Sequence, residues 1–150
     1  MRALLFLLLA LCGCSTMACV STTVPIYLAD NDTPENRELV ESAVESYLWM
    51  GVEFTDRSYG SIILQIRQPP EDSTLLGRSF HNVGCRYRYA WSVPRDYIIA
   101  HEVAHALGLR GHVKDPDNLM FPIPKRDSDL TQKQLNKIDR VARRLSLCVP

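Results

Sequence analysis

The chain has no excess of either charge: Lys plus Arg and Asp plus Glu both number 17, and the two signs are mixed along its length. That excludes the basic footprint of a nucleic-acid binder and any strong pull toward acidic lipid. None of the five cysteines forms a Cys-x-x-Cys pair, which argues against a thiolate zinc site. No apolar run is long enough to span a bilayer. Internal repeats are absent, and so are low-complexity tracts beyond the amino terminus. What is there is ordinary in bulk: 150 residues, 46% hydrophobic, enough for one compact domain with a real interior and too few for two.

The amino terminus reads as an export signal rather than as part of the fold. Arg2 supplies one positive charge, and residues 4–11 are a short, almost purely apolar stretch. It ends in Leu11-Cys12-Gly13-Cys14-Ser15, similar to a bacterial lipoprotein box, with Gly13 before the cleaved bond and Cys14 taking the lipid. The competing site is ordinary cleavage after Ala18. The expected organisation is a signal over residues 1–13 (alternatively 1–18), a short tether over 14–22 and a single domain over 23–150. Export implies an oxidising compartment, where two of Cys19, Cys85 and Cys148 would pair. The spacings do not choose between Cys85–Cys148 and Cys19–Cys148, and unpaired buried thiols are the third option.

Residues 24–28 read as a strand running into the turn Asp30-Asn31-Asp32. Thr33 then caps a helix with Pro34 at its first position, and apolar residues from Leu39 to Leu48 recur at helical spacing until Gly51. Short strands are expected at 52–54, 61–67 and 75–80. Residues 85–91 alternate, with Cys85, Tyr87, Tyr89 and Trp91 on one face and Arg86 and Arg88 on the other, most simply a solvated face and alternatively the lining of a substrate groove. A helix from about Pro94 to Gly108 follows, then an extended or turning segment at 119–124. A last helix is entered through a Thr131–Gln134 capping box and carries Leu135, Ile138, Val141, Ala142 and Leu145 on one face.

Chemistry is stated in one place, His-Glu-Val-Ala-His-Ala-Leu-Gly-Leu-Arg-Gly-His over residues 101–112. His101 and His105 lie one helical turn apart on the same face, so they can share a zinc ion, and Glu102 beside them can hold and deprotonate a water. The surrounding Ile98, Ile99, Val103, Ala104, Ala106 and Leu107 demand burial. A buried carboxylate flanked by two imidazoles needs a partner. Gly108 stands where the helix must stop in a left-handed residue. For the third ligand the candidates are His112, Asp115 and Asp117, with Asp115 better suited to shaping the turn before Pro116. His81 has no assigned role.

These residues resemble the metzincin zinc peptidases, and within them the matrixin-like branch. That pattern is HExxHxxGxxH followed by a methionine turn. His101, Glu102, His105 and Gly108 match it, as do Asp115-Pro116 and Leu119-Met120-Phe121-Pro122 when counted from His112. The pattern puts its third histidine at position 111, a glycine here, so Gly111 is read as a one-residue insertion that glycine absorbs through its wide backbone freedom.

The resemblance implies an α+β, metzincin-like fold: a small mixed, twisted β-sheet with an amino-terminal, an active-site and a carboxy-terminal helix. It implies one catalytic Zn2+ on His101, His105 and His112, Glu102 as general base, and Met120 as a structural residue beneath the metal. The expected function is an exported zinc-dependent endopeptidase acting on protein or peptide. It would use no nucleic acid, attach to the cell envelope through a lipidated Cys14, and have an oligomeric state the sequence leaves open. The alternative is a non-catalytic envelope lipoprotein, an interaction module with a vestigial or structural zinc site. The segment Gly77-Arg78-Ser79 is the expected edge strand along which a substrate would lie extended.

Overall fold

In the computed structural model, which describes residues 24–45, 47, 52–55, 62–69, 71, 73–80 and 88–146, strand β1 (Val24–Leu28) comes first. Four of its five residues are buried, as expected of a strand covered on both faces. It sits between two parallel neighbours, β2 (Val52–Thr55) and β3 (Ile62–Ile66). Parallel pairing requires a crossover, and helix α1 (Pro34–Val44) supplies the one from β1 to β2. The turn into α1 uses positive φ at Asp30 (58°) and Asn31 (46°), the residue types that tolerate it best. Thr33 caps the helix by accepting from the Asn36 N–H at 3.2 Å, with Pro34 in the first turn.

Strand β5 (Arg88–Ser92) pairs parallel with β3, and β4 (Gly77–Phe80) lies antiparallel on its other side, giving a five-stranded mixed sheet in the order β2-β1-β3-β5-β4. The expected small mixed sheet with three helices is therefore present. Helix α2 (Asp96–Ala106) packs on α1, β4 and β5, and α3 (Gln132–Ser146) reaches β1 with Ile138 and Ala142 buried. Thr131 and Gln134 form the expected reciprocal box: the Thr131 N–H donates to Gln134 Oε1 at 2.8 Å and the Gln134 N–H to Thr131 Oγ1 at 3.4 Å. Beyond the end of α1, the Tyr47 hydroxyl donates to the Ala100 carbonyl at 2.8 Å, fastening that segment to α2. No helix among the described residues is long and apolar enough to cross a membrane. The signal, the tether, Gly51, His81, Arg86, Tyr87 and the three cysteines considered for pairing lie outside the described residues.

One expectation is corrected. Arg88 does not stand on a solvated face: it is half-buried, and its Nη1 donates to the Ala106 carbonyl at the end of α2. The reason is topological. β5 is an interior strand with α2 packed against it, while its Trp91 is covered by the Arg67 guanidinium 4.5 Å above the ring.

Helix α2 stops at Gly108, which has φ of 98°. The Leu109 N–H reaches back to the Ala104 carbonyl at 3.1 Å and the Gly108 N–H to the His105 carbonyl at 2.9 Å, the two bonds of a Schellman cap. A Cβ at Gly108 would lie 3.0 Å from Val141 Cγ2 of α3. Gly108→Ala therefore meets both an unfavourable φ and a wall, and is expected to lower stability by about 1–3 kcal/mol, read from urea denaturation.

Candidate metal centre

His101 and His105 project from one face of α2 by the geometry of its turn, and their rings meet edge to face at 4.6 Å between centroids. His112 comes from the loop after the cap. Its Nε2 is 3.2 Å from His101 Nε2 and 3.3 Å from His105 Nε2. Gly111 carries this approach with φ of 73°, and a Cβ there would meet nothing within 4 Å. The three histidines thus form a group whose ligand atoms all lie within 4.8 Å of one another, ranging from buried His101 to exposed His112.

The competing aspartates are engaged elsewhere. The Asp115 carboxylate accepts from the Asp117 N–H at 3.1 Å, shaping the turn, and Asp117 pairs with Lys125 at 2.8 Å. Met120 is buried, 1% exposed. Its N–H donates to Asn118 Oδ1 at 2.9 Å, and its carbonyl accepts from the Val113 N–H at 3.0 Å. The turn is thereby tied to the residue that follows His112. Asn118 is itself clasped by Gln134 of α3 through two amide hydrogen bonds, of 2.9 and 3.1 Å.

Backbone carbonyls decide the tautomers. His101 Nδ1 lies 2.6 Å from the Leu119 carbonyl and His105 Nδ1 lies 2.6 Å from the Leu109 carbonyl. A carbonyl oxygen accepts, so each Nδ1 carries the proton and each Nε2 presents a lone pair to the common centre. A single N–H on His112 could satisfy one of its two contacts, never both. A cation satisfies all three. A tetrahedral ion with bonds of about 2.0–2.1 Å places neighbouring donors about 3.3–3.4 Å apart, close to the two short separations here. The donor set fits a divalent metal, and an all-imidazole set is consistent with zinc without identifying it.

Glu102 lies beside the histidines, 5% exposed, and its Oε2 has no hydrogen-bond partner among the described residues. Its side chain fills the place above Gly77 of β4, where a Cβ would stand 2.5 Å from Glu102 Oε1 and 2.6 Å from Cγ. Sequence reading singled out Gly77 as part of an edge strand but could not see this approach. It also missed Leu109 and Leu119, which act through their carbonyls. Adjacency to the motif is the one sign they gave.

Over the centre opens a cleft of about 490 Å³ bounded by residues 74–79, α2, residues 110–112 and residues 122–124. A second cavity of about 600 Å³ lies on the other face of α2, against Tyr97, Ala100 and Leu119, and holds none of the histidines.

Burial works against charge throughout. It pushes His101 down to about 4 from 6.5, with the Leu119 carbonyl opposing and the neighbouring histidines adding to the fall. Burial likewise lowers His105, and it raises Glu102 from 4.5 to about 8. The consequences for stability have opposite signs. His101 binds a proton near 6.5 unfolded and near 4 folded, so its contribution is present above 6.5 and lost as pH falls to 4. Glu102 ionises near 4.5 unfolded and near 8 folded, so its contribution is present below 4.5 and lost as pH rises to 8. Metal-free protein should be most stable between 4.5 and 6.5, in a thermal unfolding series across pH. Glu102→Gln should remove the decline on the alkaline side. Stability that keeps rising toward pH 8 without metal would contradict the role given to burial.

Neither a protein-family model nor a curated protein matches this chain.

Proposed function

We propose that the chain is an exported, zinc-dependent endopeptidase of the metzincin, matrixin-like kind. One observation carries the reading: three imidazole Nε2 atoms converge beside a buried carboxyl group whose Oε2 has no hydrogen-bond partner among the described residues, at the floor of an open cleft. A metal held only to stabilise a fold is normally closed off by four protein ligands. Here three histidines converge, and the exposed His112 faces the cleft.

His101, His105 and His112 would hold the ion. Bound there, zinc supplies a Lewis acid that polarises a carbonyl and makes water acidic near neutral pH. The rest falls to the protein. Glu102, with Oε2 unengaged, accepts one proton from the attacking water as its oxygen bonds to the peptide carbonyl carbon. It returns that proton to the departing amine nitrogen as the C–N bond breaks. A cation alongside favours the charged form of a carboxylate that burial otherwise keeps protonated. Leu119 and Leu109 keep the imidazoles in the tautomer that binds, and Gly77 leaves room for the carboxyl group. The outer edge of β4, at the end of the sheet, offers backbone groups to an extended peptide. The lipoprotein-like segment ending in Cys14 supports a location on the cell envelope.

Glu102→Gln should keep one zinc per chain and lose at least about a hundredfold in peptide cleavage. His112→Ala should lose the zinc itself. Zinc content by elemental analysis, paired with a peptide-cleavage assay, reads both. Normal cleavage by the Glu102→Gln protein would overturn the assignment of the base.

A further inference from the structure

Overall neutrality conceals a sorting of charge between two helices. Along α1, Glu38, Glu41 and Glu45 stand three and then four residues apart, the spacing of one helical face, and all three are exposed. Glu45 closes that helix with φ and ψ still helical. Along α3, Lys133, Lys137 and Arg140 stand four and then three residues apart, again in one exposed line. The one cation of α1, Arg37, holds Asp32, and the one acid of α3, Asp139, holds Arg143. None of the six charges in the two lines makes an ion pair among the described residues, and no ion pair there joins α1 to α3. Read in opposite directions, the two spacings are the same. Helices laid antiparallel therefore bring Glu45 to Lys133, Glu41 to Lys137 and Glu38 to Arg140, each step matched at about 1.5 Å per residue. Antiparallel helices also set their dipoles head to tail.

We propose that the chain associates with a second copy of itself, the acidic line of α1 in one protomer lying antiparallel along the basic line of α3 in its partner. The two lines do not meet within one molecule, so each is left for another. Their placement suits a closed pair. α1 ends and α3 begins at the same cavity, the one of about 600 Å³ that holds none of the histidines: Ala43 and Glu45 line it from α1, and Leu135 from α3. A two-fold axis through that cavity repeats the contact on either side of itself and leaves neither line of either copy unmatched. Exposed ion pairs are individually weak, so the association is reversible and sensitive to salt, its strength coming from three pairs acting together on each side. The cleft over the histidines is lined by neither charged row and stays open in such a pair. The inference goes beyond the peptidase reading and does not depend on it.

The test is sedimentation velocity of the purified full chain over a range of concentrations. At low salt a dimer should form as concentration rises, and its dissociation constant should weaken at least about tenfold between roughly 0.02 M and 0.5 M salt. One variant carries Glu38→Lys, Glu41→Lys and Glu45→Lys, and a second carries Lys133→Glu, Lys137→Glu and Arg140→Glu. Every position is exposed, so the fold tolerates the changes. Each variant should stay monomeric where the wild type pairs, because like charges then face each other. All six changes in one chain should restore the dimer. A smaller exchange separates register from net charge: Glu41→Lys with Lys137→Glu should recover what either change loses alone. Lys137→Glu with Glu71→Lys, equally neutral but placed on an exposed loop away from α1, should not. A wild type that is monomeric throughout at low salt overturns the inference, as does a dimer that survives either triple reversal. Failure of the six-change chain to pair, or recovery by Glu71→Lys equal to that by Glu41→Lys, overturns it too.

Discussion

Two carbonyl oxygens, those of Leu119 and Leu109, each stand 2.6 Å from an imidazole Nδ1 and thereby dictate which nitrogen of His101 and His105 is left with a lone pair. Much of the surrounding architecture serves to place those two oxygens. Leu109 is the residue just past the left-handed Gly108, so the cap that ends α2 also delivers a carbonyl back to the helix's own second histidine. Leu119 is held between Asn118 and Met120, in a turn clasped by Gln134 of α3. The last helix therefore acts on the centre without contributing an atom to it.

The apolar wall around the motif sets up an opposition that the protein alone does not resolve. It keeps imidazoles neutral, which suits metal binding, and it also disfavours the carboxylate form of Glu102, which does not suit a base. A cation at the shared point would reconcile the two. Local conflict of this kind, retained inside an otherwise consistent fold, is the usual mark of a site rather than of a scaffold.

How much of this was legible in the sequence follows the range of each interaction. Helix α2, the stop at Gly108 and the Thr131–Gln134 box were readable because each depends on residues within a turn or two of one another. The convergence of His112 with His101 and His105 was readable too, through a resemblance rather than through periodicity. Contacts set by the sheet were not. Gly77 meets Glu102 because β4 lies antiparallel on β5 under α2, and nothing local in either segment encodes that. Arg88 shows the limit of alternation. A period of two says which side chains share a face, but whether that face meets water depends on where a later helix lands.

Gly111 occupies a turn with open space around it, between two histidines locked to a helix and a third carried by a loop. Separations within a helix come in fixed steps, since adding one residue rotates everything beyond it by about 100°. A loop has no such quantum. As long as its ends stay where Gly108 and the bond from Val113 to Met120 put them, it can gain a residue without moving its donor. The interval between the second and third histidines is therefore a soft coordinate of this architecture, and that between the first and second a hard one. A pattern that treats both as rigid will pass over chains in which the same three nitrogens still meet.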